Sequence, residues 1–355
     1  MKKFLALLLA LTMALALVAC GGGSDSGDTG AGTTGGDSES GFEPMTWKFA
    51  CSATETSPWV DGAKEFARIV GEKTGGAITV QYYPADQLTA GSQTDGIQAL
   101  MDGTTELSMH SNLIWSSFDQ RFNVVSLPFL FDSTEEADAA LDGAGGQALG
   151  EILESEYNVH LLGIAENGFR HITNSKHAVT SLADMENLKI RVAGSQLLNR
   201  AYELWGADYT NANWSEVFTA LQTGTYDGQE NPLPTADAAS IQEVQSYLTY
   251  WTGAYDCLFF CMNAELYNSL SPELQTIVDE AGQEACVYER ELNRSQDQEI
   301  MDKWAEAGVE VTELSADAAA EFAEASAPVY DEFADELTPE LIEAFTSVTQ
   351  ADNAA

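Results

Sequence analysis

Positive charge is what this chain most lacks. Fifteen Lys and Arg stand against 56 Asp and Glu in 355 residues, a formal net charge of −41. Nucleic-acid binding rests on phosphate neutralisation by Lys and Arg, so this balance argues against it. It argues equally against a polybasic hold on anionic lipid. Histidine is also scarce, with only His110, His160, His171 and His177 present. No HExxH, GxSxG, Walker-type or EF-hand pattern occurs. His171 and His177 lack any accompanying cysteine or carboxylate pattern, so neither a metal nor a cofactor is expected. Cysteine is sparse, and no pair has CxxC spacing. Outside the cell Cys51, Cys257, Cys261 and Cys286 permit two bridges. Cys257 and Cys261 sit too far apart along a strand-like run to bond each other, and the reading taken is buried free thiols.

Long apolar runs are absent except at the start, where Lys2 and Lys3 precede Phe4–Ala19. A basic start and a greasy stretch of about 16 residues form a secretory signal pattern. The stretch falls short of the roughly 20 residues needed to span a bilayer. Leu17-Val18-Ala19-Cys20, followed by Gly21-Gly22-Gly23, resembles a bacterial lipoprotein signal. That resemblance implies removal of residues 1–19 and a lipid on the Cys20 thiol. Residues 20–44 are Gly, Ser, Thr and Asp with almost nothing apolar, the composition of a flexible tether. The two lysines lost with the leader deepen the net charge from −41 to −43. The expected location is extracytoplasmic, lipid-anchored to the cell membrane.

What is present from Met45 onward is enough apolar residue for a sizeable core, 45% of the chain, over a length that suits two domains. Strand-like Thr46–Ser52, Ala77–Tyr83 and Glu106–Met109 alternate with helical Val60–Lys73 and Thr94–Met101. This order predicts an α/β domain with mostly parallel strands. Helices at Ser133–Asp142 and Gln147–Glu156, joined by a Gly143–Gly146 turn, precede a strand at His160–Ala165. A second set follows, with strands at Arg170–Thr173, Leu188–Val192 and Tyr255–Asn263 and helices at Gln196–Trp205 and Trp214–Thr223. Ser271-Pro272-Glu273 opens a helix with a cap, a first-turn proline and an acid for the dipole. No breaker appears before Gly308, so about 36 residues would reach ~54 Å and run across both lobes. Two acidic helices, about Asp317–Phe333 and Pro339–Val348, finish the chain.

Because cations are rare, their placement carries information. Five of the 13 left after the leader fall between Arg170 and Arg200. A guanidinium is well shaped to grip a carboxylate with two parallel hydrogen bonds. Alternation of Leu188, Ile190 and Val192 with Lys189 and Arg191 is also what a half-exposed strand looks like. The stretches Glu166–Ser175 (ENGFRHITNS), Leu182–Val192 and Trp214–Pro232 (WSEVFTALQTG through YDGQENP) resemble the TRAP transporter solute-binding proteins of DctP type. Tyr83-Pro84, Gln87-Leu88, Asp102-Gly103 and Leu127-Pro128-Phe129 fall upstream in the expected order.

The resemblance implies a two-lobed periplasmic-binding-type α/β fold that closes on a ligand, with a long helix bridging the lobes. Lobe I would be residues 45–168 plus about 257–285, and lobe II 169–256 plus about 286–350. It implies that Arg191 pairs with a ligand carboxylate, that Arg170 makes a second contact, that Asn231 hydrogen-bonds in the same cleft and that Trp214 lines its wall. From the first lobe, Gln93, His110 and Ser111 are the candidates. The expected function is capture of an organic acid, a dicarboxylate or sugar acid, for the small and large membrane subunits of a sodium-driven TRAP transporter. A ligand-sensing lipoprotein and a secreted enzyme acting on sugar acids are the alternatives; the absence of a nucleophile–base motif weighs against the enzyme.

Overall fold

The computed structural model describes residues 41–352. The described strands are β1 (Met45–Cys51), β2 (Ile78–Tyr83), β3 (Leu107–Ser111), β4 (Val159–Phe169), β5 (His171–Asn174), β6 (Lys189–Val192), β7 (Asp208–Asn211), β8 (Gly228–Asn231), β9 (Tyr247–Tyr250), β10 (Tyr255–Asn263) and β11 (Glu310–Glu313). They form two sheets, ordered β2-β1-β3-β10-β4 and β11-β9-β5-β8-β6-β7. Both sheets are mostly parallel, as the alternating order predicts, with one reversed strand in each. β10 is antiparallel to β3 and β4, and β5 is antiparallel to β8 and β9.

The reversals come from the chain crossing between sheets. It passes from β4 to β5 through Arg170 and returns from β9 to β10 through 251–254. The two crossings lie side by side, with Arg170 N–H donating to Ala254 C=O at 2.9 Å.

The third link is the helix Pro272–Glu306, 35 residues and about 52 Å long. Ser271 Oγ accepts from the Leu274 N–H and starts it, with Pro272 at the first turn. Its first half, through Leu274, Val278, Ala281 and Ala285, packs in the core around Phe49, Phe66 and Phe260. Its last turns place Ile300 and Trp304 in a separate cluster with Val217, Leu221 and Leu233. Gly282 lets the helix lie close against β4: a Cβ there would stand 2.7 Å from Leu162 Cβ and 2.9 Å from Leu162 O.

The acidic helix expected over 317–333 is two helices, Ala316–Ser326 and Pro328–Leu337. Pro328 lacks the N–H that would continue the first, so the chain restarts with proline at the new N-terminus. Pro339–Asp352 follows. Cys51, Cys257, Cys261 and Cys286 are free and buried, and burial raises each thiol's pKa. Among the described residues no helix is long and apolar enough to cross a membrane.

Candidate ligand-binding site

The crossing point of the two strands forms the floor of a cavity lined by both sheets' loops. Ser52, Trp59, Gln93, Ser111, Asn167 and Asp256 come from the first-sheet side. Arg170 sits at the crossing, and Arg191, Trp214, Asn231 and Thr235 come from the second-sheet side. Larger hollows of about 750 and 450 Å³ lie elsewhere. The first contains no Lys or Arg, and the second's Arg294 is ion-paired to Asp138 and Glu166. An unpaired cation therefore distinguishes the smaller cavity.

That cation is Arg191, only 2% exposed on β6. Its Nε and Nη2 both donate to the Ala212 carbonyl, at 3.0 and 2.7 Å. Its guanidinium carbon lies 5.6 Å from the Trp214 ring centroid. No carboxylate approaches it within ion-pair distance among the described residues. Burial, with a contribution from the Arg170 charge, pulls its pKa down to about 10, against the field of Glu230. It stays charged at neutral pH, and that charge is poorly compensated.

Arg170 presents the opposite case. Its Nε and Nη1 pair with Glu230 and Asp256, and Nη2 donates to Glu230 O at 2.9 Å and Glu230 Oε1 at 3.0 Å. Burial opposes its charge, but the two carboxylates outweigh burial and hold its pKa above the ordinary value. Asp256 also accepts from Ser111 Oγ at 2.7 Å and Asn167 Nδ2 at 2.6 Å. Burial nevertheless raises its pKa, with Arg170 opposing. Glu230 Oε1 takes the Ala193 N–H at 2.9 Å. Each of Arg170's three nitrogens thus already has a protein partner, so the expected second contact to a ligand would have to be shared.

Of the residues singled out in the sequence, Arg170, Arg191, Trp214, Asn231, Gln93 and Ser111 are brought together at this cavity. His110 is not. It is fully buried, with Nε2 3.5 Å from Asp86 Oδ1, and packs beneath Gly96, where a Cβ would meet Nε2 at 2.9 Å. Neighbouring residues of a strand point to opposite faces, and His110 takes the face away from the cleft. Cys20 and the leader lie outside the described residues. His171 is buried in β5, stacked 4.2 Å from Tyr250, and burial lowers its pKa to about 3; His177 is exposed.

Sequence reasoning missed Trp59, Asp256, Glu230 and Asn167. Trp59 follows Ser57-Pro58 at a helix start, and its indole N–H has no partner. The polar run Gln229-Glu230-Asn231 gave no apolar signal for Glu230's place, although β8 is buried throughout.

The lobes meet over the cavity. Trp214 N–H donates to Gln93 Oε1 at 3.2 Å, and Ser215 Oγ donates to Gly91 O at 3.1 Å. Thr54 Oγ1 to Ala238 O at 3.2 Å and Ser117 Oγ to Gly194 O at 3.3 Å close other points of the rim. Only about 30 Å³ of free space remains inside, room for a water or two. A solute must enter by parting these contacts.

Two sheets joined by paired crossings and one long helix, closed over an unpaired arginine, define a two-lobed solute-binding protein. The chain belongs to the bacterial extracellular solute-binding protein family 7 (DctP), whose model matches residues 49–337. It is 32% identical over 274 residues to the 2,3-diketo-L-gulonate-binding periplasmic protein YiaO of Escherichia coli, covering 77% of this chain and 83% of that one. The sugar acid binding protein DctPAm of Advenella mimigardefordensis, in complex with galactonate, superposes with a TM-score of 0.83 at 29% identity, covering 87% of this chain and 99% of that one. A TRAP periplasmic solute binding protein from Shewanella oneidensis with bound succinate gives 0.81 at 25% identity, covering 86% and 99%.

Proposed function

We propose that this protein captures an organic-acid anion outside the cytoplasm and delivers it to the small and large membrane subunits of a TRAP transporter. The observation that carries the reading is Arg191: a buried guanidinium, pinned on one side by Ala212 and Trp214, with no carboxylate of its own. A protein of net charge −41 repels anions at long range, so capture needs a local, desolvated cation between closing lobes. Arg191 holds the ligand carboxylate, Asn231, Gln93 and Ser111 contribute hydrogen bonds, and Trp214 forms the wall. Arg170 shapes the floor by holding Asp256 and Glu230 in place.

In this reading residues 45–168 with about 257–285 move as one lobe and 169–256 with about 286–350 as the other. Cys20 carries a lipid after removal of residues 1–19, and residues 20–44 tether the receptor to the cell membrane. Native mass spectrometry of protein purified from its own host tests the capture. A carried-over mass matching an organic acid supports it; protein that carries none and is unaffected in melting by any organic acid tested would contradict it.

A further inference from the structure

The charges lining the cleft go beyond an organic acid in general to the kind of acid, and this step rests on reading the cleft as a carboxylate site. Two arginines and one carboxylate, Arg170, Arg191 and Asp256, line the cavity among the described residues. Arg170 is bound to Asp256 and to Glu230 behind it. Arg191 alone has no carboxylate within ion-pair distance among the described residues. One ligand carboxylate compensates it, and a second would find no cation waiting.

The facing wall states the same preference in its hydrogen bonds. Asp256 Oδ1 accepts one bond from Ser111, while Oδ2 accepts from Asn167 and Arg170. A carboxylate offers about four acceptor positions, so Oδ1 retains one, on a side chain that lines the cavity. A ligand hydroxyl can donate to it; a ligand carboxylate is repelled by it. Trp59, 4% exposed on the same wall, has an indole N–H without a partner, a donor for a hydroxyl oxygen.

Space for a longer ligand adjoins the cavity. A hollow of about 260 Å³ shares Gln93 and Ile114 with it and is lined further by Thr94, Ser117, Asn211 and Asn213. These groups are polar and uncharged, and no Lys or Arg joins them. They suit the hydroxyls of a chain, not a second carboxylate.

We propose that this site selects a polyhydroxylated monocarboxylate, an aldonate-type sugar acid, over dicarboxylates, and that Asp256 is the residue that rejects a second carboxylate. Matched pairs isolate the claim: D-galactonate against galactarate, D-gluconate against D-glucarate, and D-erythronate against meso-tartrate. Each pair shares chain length and hydroxyl configuration and differs only in a terminal CH2OH or carboxylate. In calorimetric titration of the full chain, each pair with a binding member should show the monoacid binding about tenfold or more tighter than its diacid, the size expected for a like-charge juxtaposition in a cleft. A diacid that binds as well as or better than its monoacid overturns the inference and leaves the carboxylate site standing. Failure of every acid to bind, succinate included, overturns both. Asp256→Asn removes the charge at nearly constant shape and should narrow the gap about fivefold or more. An unchanged gap in a folded variant removes Asp256 from the role; if the variant does not fold, the wild-type pairs decide.

Discussion

Arg191 lies against Trp214, its guanidinium carbon 5.6 Å from the ring centroid, while its Nε and Nη2 share the Ala212 carbonyl. Ring and carbonyl together leave one side of the fork for an incoming anion. A desolvated cation–π contact of this kind contributes about 1–2 kcal/mol. Trp214→Ala should therefore weaken anion binding by about five- to thirtyfold, and Trp214→Phe should retain most of it. Titration calorimetry on both variants checks this; equal losses would mean that an aromatic face at this position contributes nothing to holding Arg191.

Closure has its own signature at Gly91. Its φ of +90° is one that L side chains rarely adopt, and a Cβ would stand 2.7 Å from Ser215 Oγ across the cleft. The backbone strain is present in the open and closed states alike, whereas the clash exists only when the lobes meet. Gly91→Ala should weaken ligand affinity several-fold, and Gly91→Ala with Ser215→Gly should restore it. Small-angle scattering with ligand should show the single variant more extended than wild type. A double variant no better than the single one would place the effect in strain rather than closure.

The pH dependence of stability should contain a contribution from Asp297. Burial, with Glu166 nearby, raises its pKa from 3.8 to about 6, against a hydrogen bond from Tyr250. The folded state thus holds this proton more tightly than the unfolded chain. The stabilising contribution is complete below about pH 4 and lost as pH rises through about 6. Asp297→Asn should be more stable than wild type by about 1–3 kcal/mol at pH 7.5 and equal to it at pH 4. Denaturant unfolding at both pH values checks this, and a pH-independent difference would contradict it.

Gly282 reverses the usual helix rule. Alanine is worth about 1 kcal/mol more than glycine in a helix interior, but here its Cβ would meet Leu162 O at 2.9 Å. Gly282→Ala should destabilise by about 1–3 kcal/mol, as overpacking does. A more stable variant in urea unfolding would show that the long helix can move off β4 freely.

Much of this architecture is written in local pattern. Apolar strands such as Tyr255–Asn263, and the cap and proline at Ser271-Pro272, announce themselves because their signals lie within a few residues. β8 does not, since its Gln229, Glu230 and Asn231 are buried by partners rather than by apolarity. The short strands β7, β9 and β11 exist through their pairing with neighbours distant in sequence. At the site, Arg191 and Trp214 carried motif signals. The neutralisation of Arg170 depends on carboxylates 60 and 86 residues away. His110 failed for a simpler reason: all of β3 is buried, so burial pattern cannot say which face looks into the cleft.

The most direct test of the account is the affinity of Arg191→Ala for an organic acid that wild-type protein binds, measured by calorimetry alongside the melting temperature of the ligand-free variant. Leaving a ligand carboxylate without its partner in the cleft should cost about 2–5 kcal/mol, a loss of roughly thirtyfold or more, with the fold intact. Near wild-type affinity in the folded variant would contradict it.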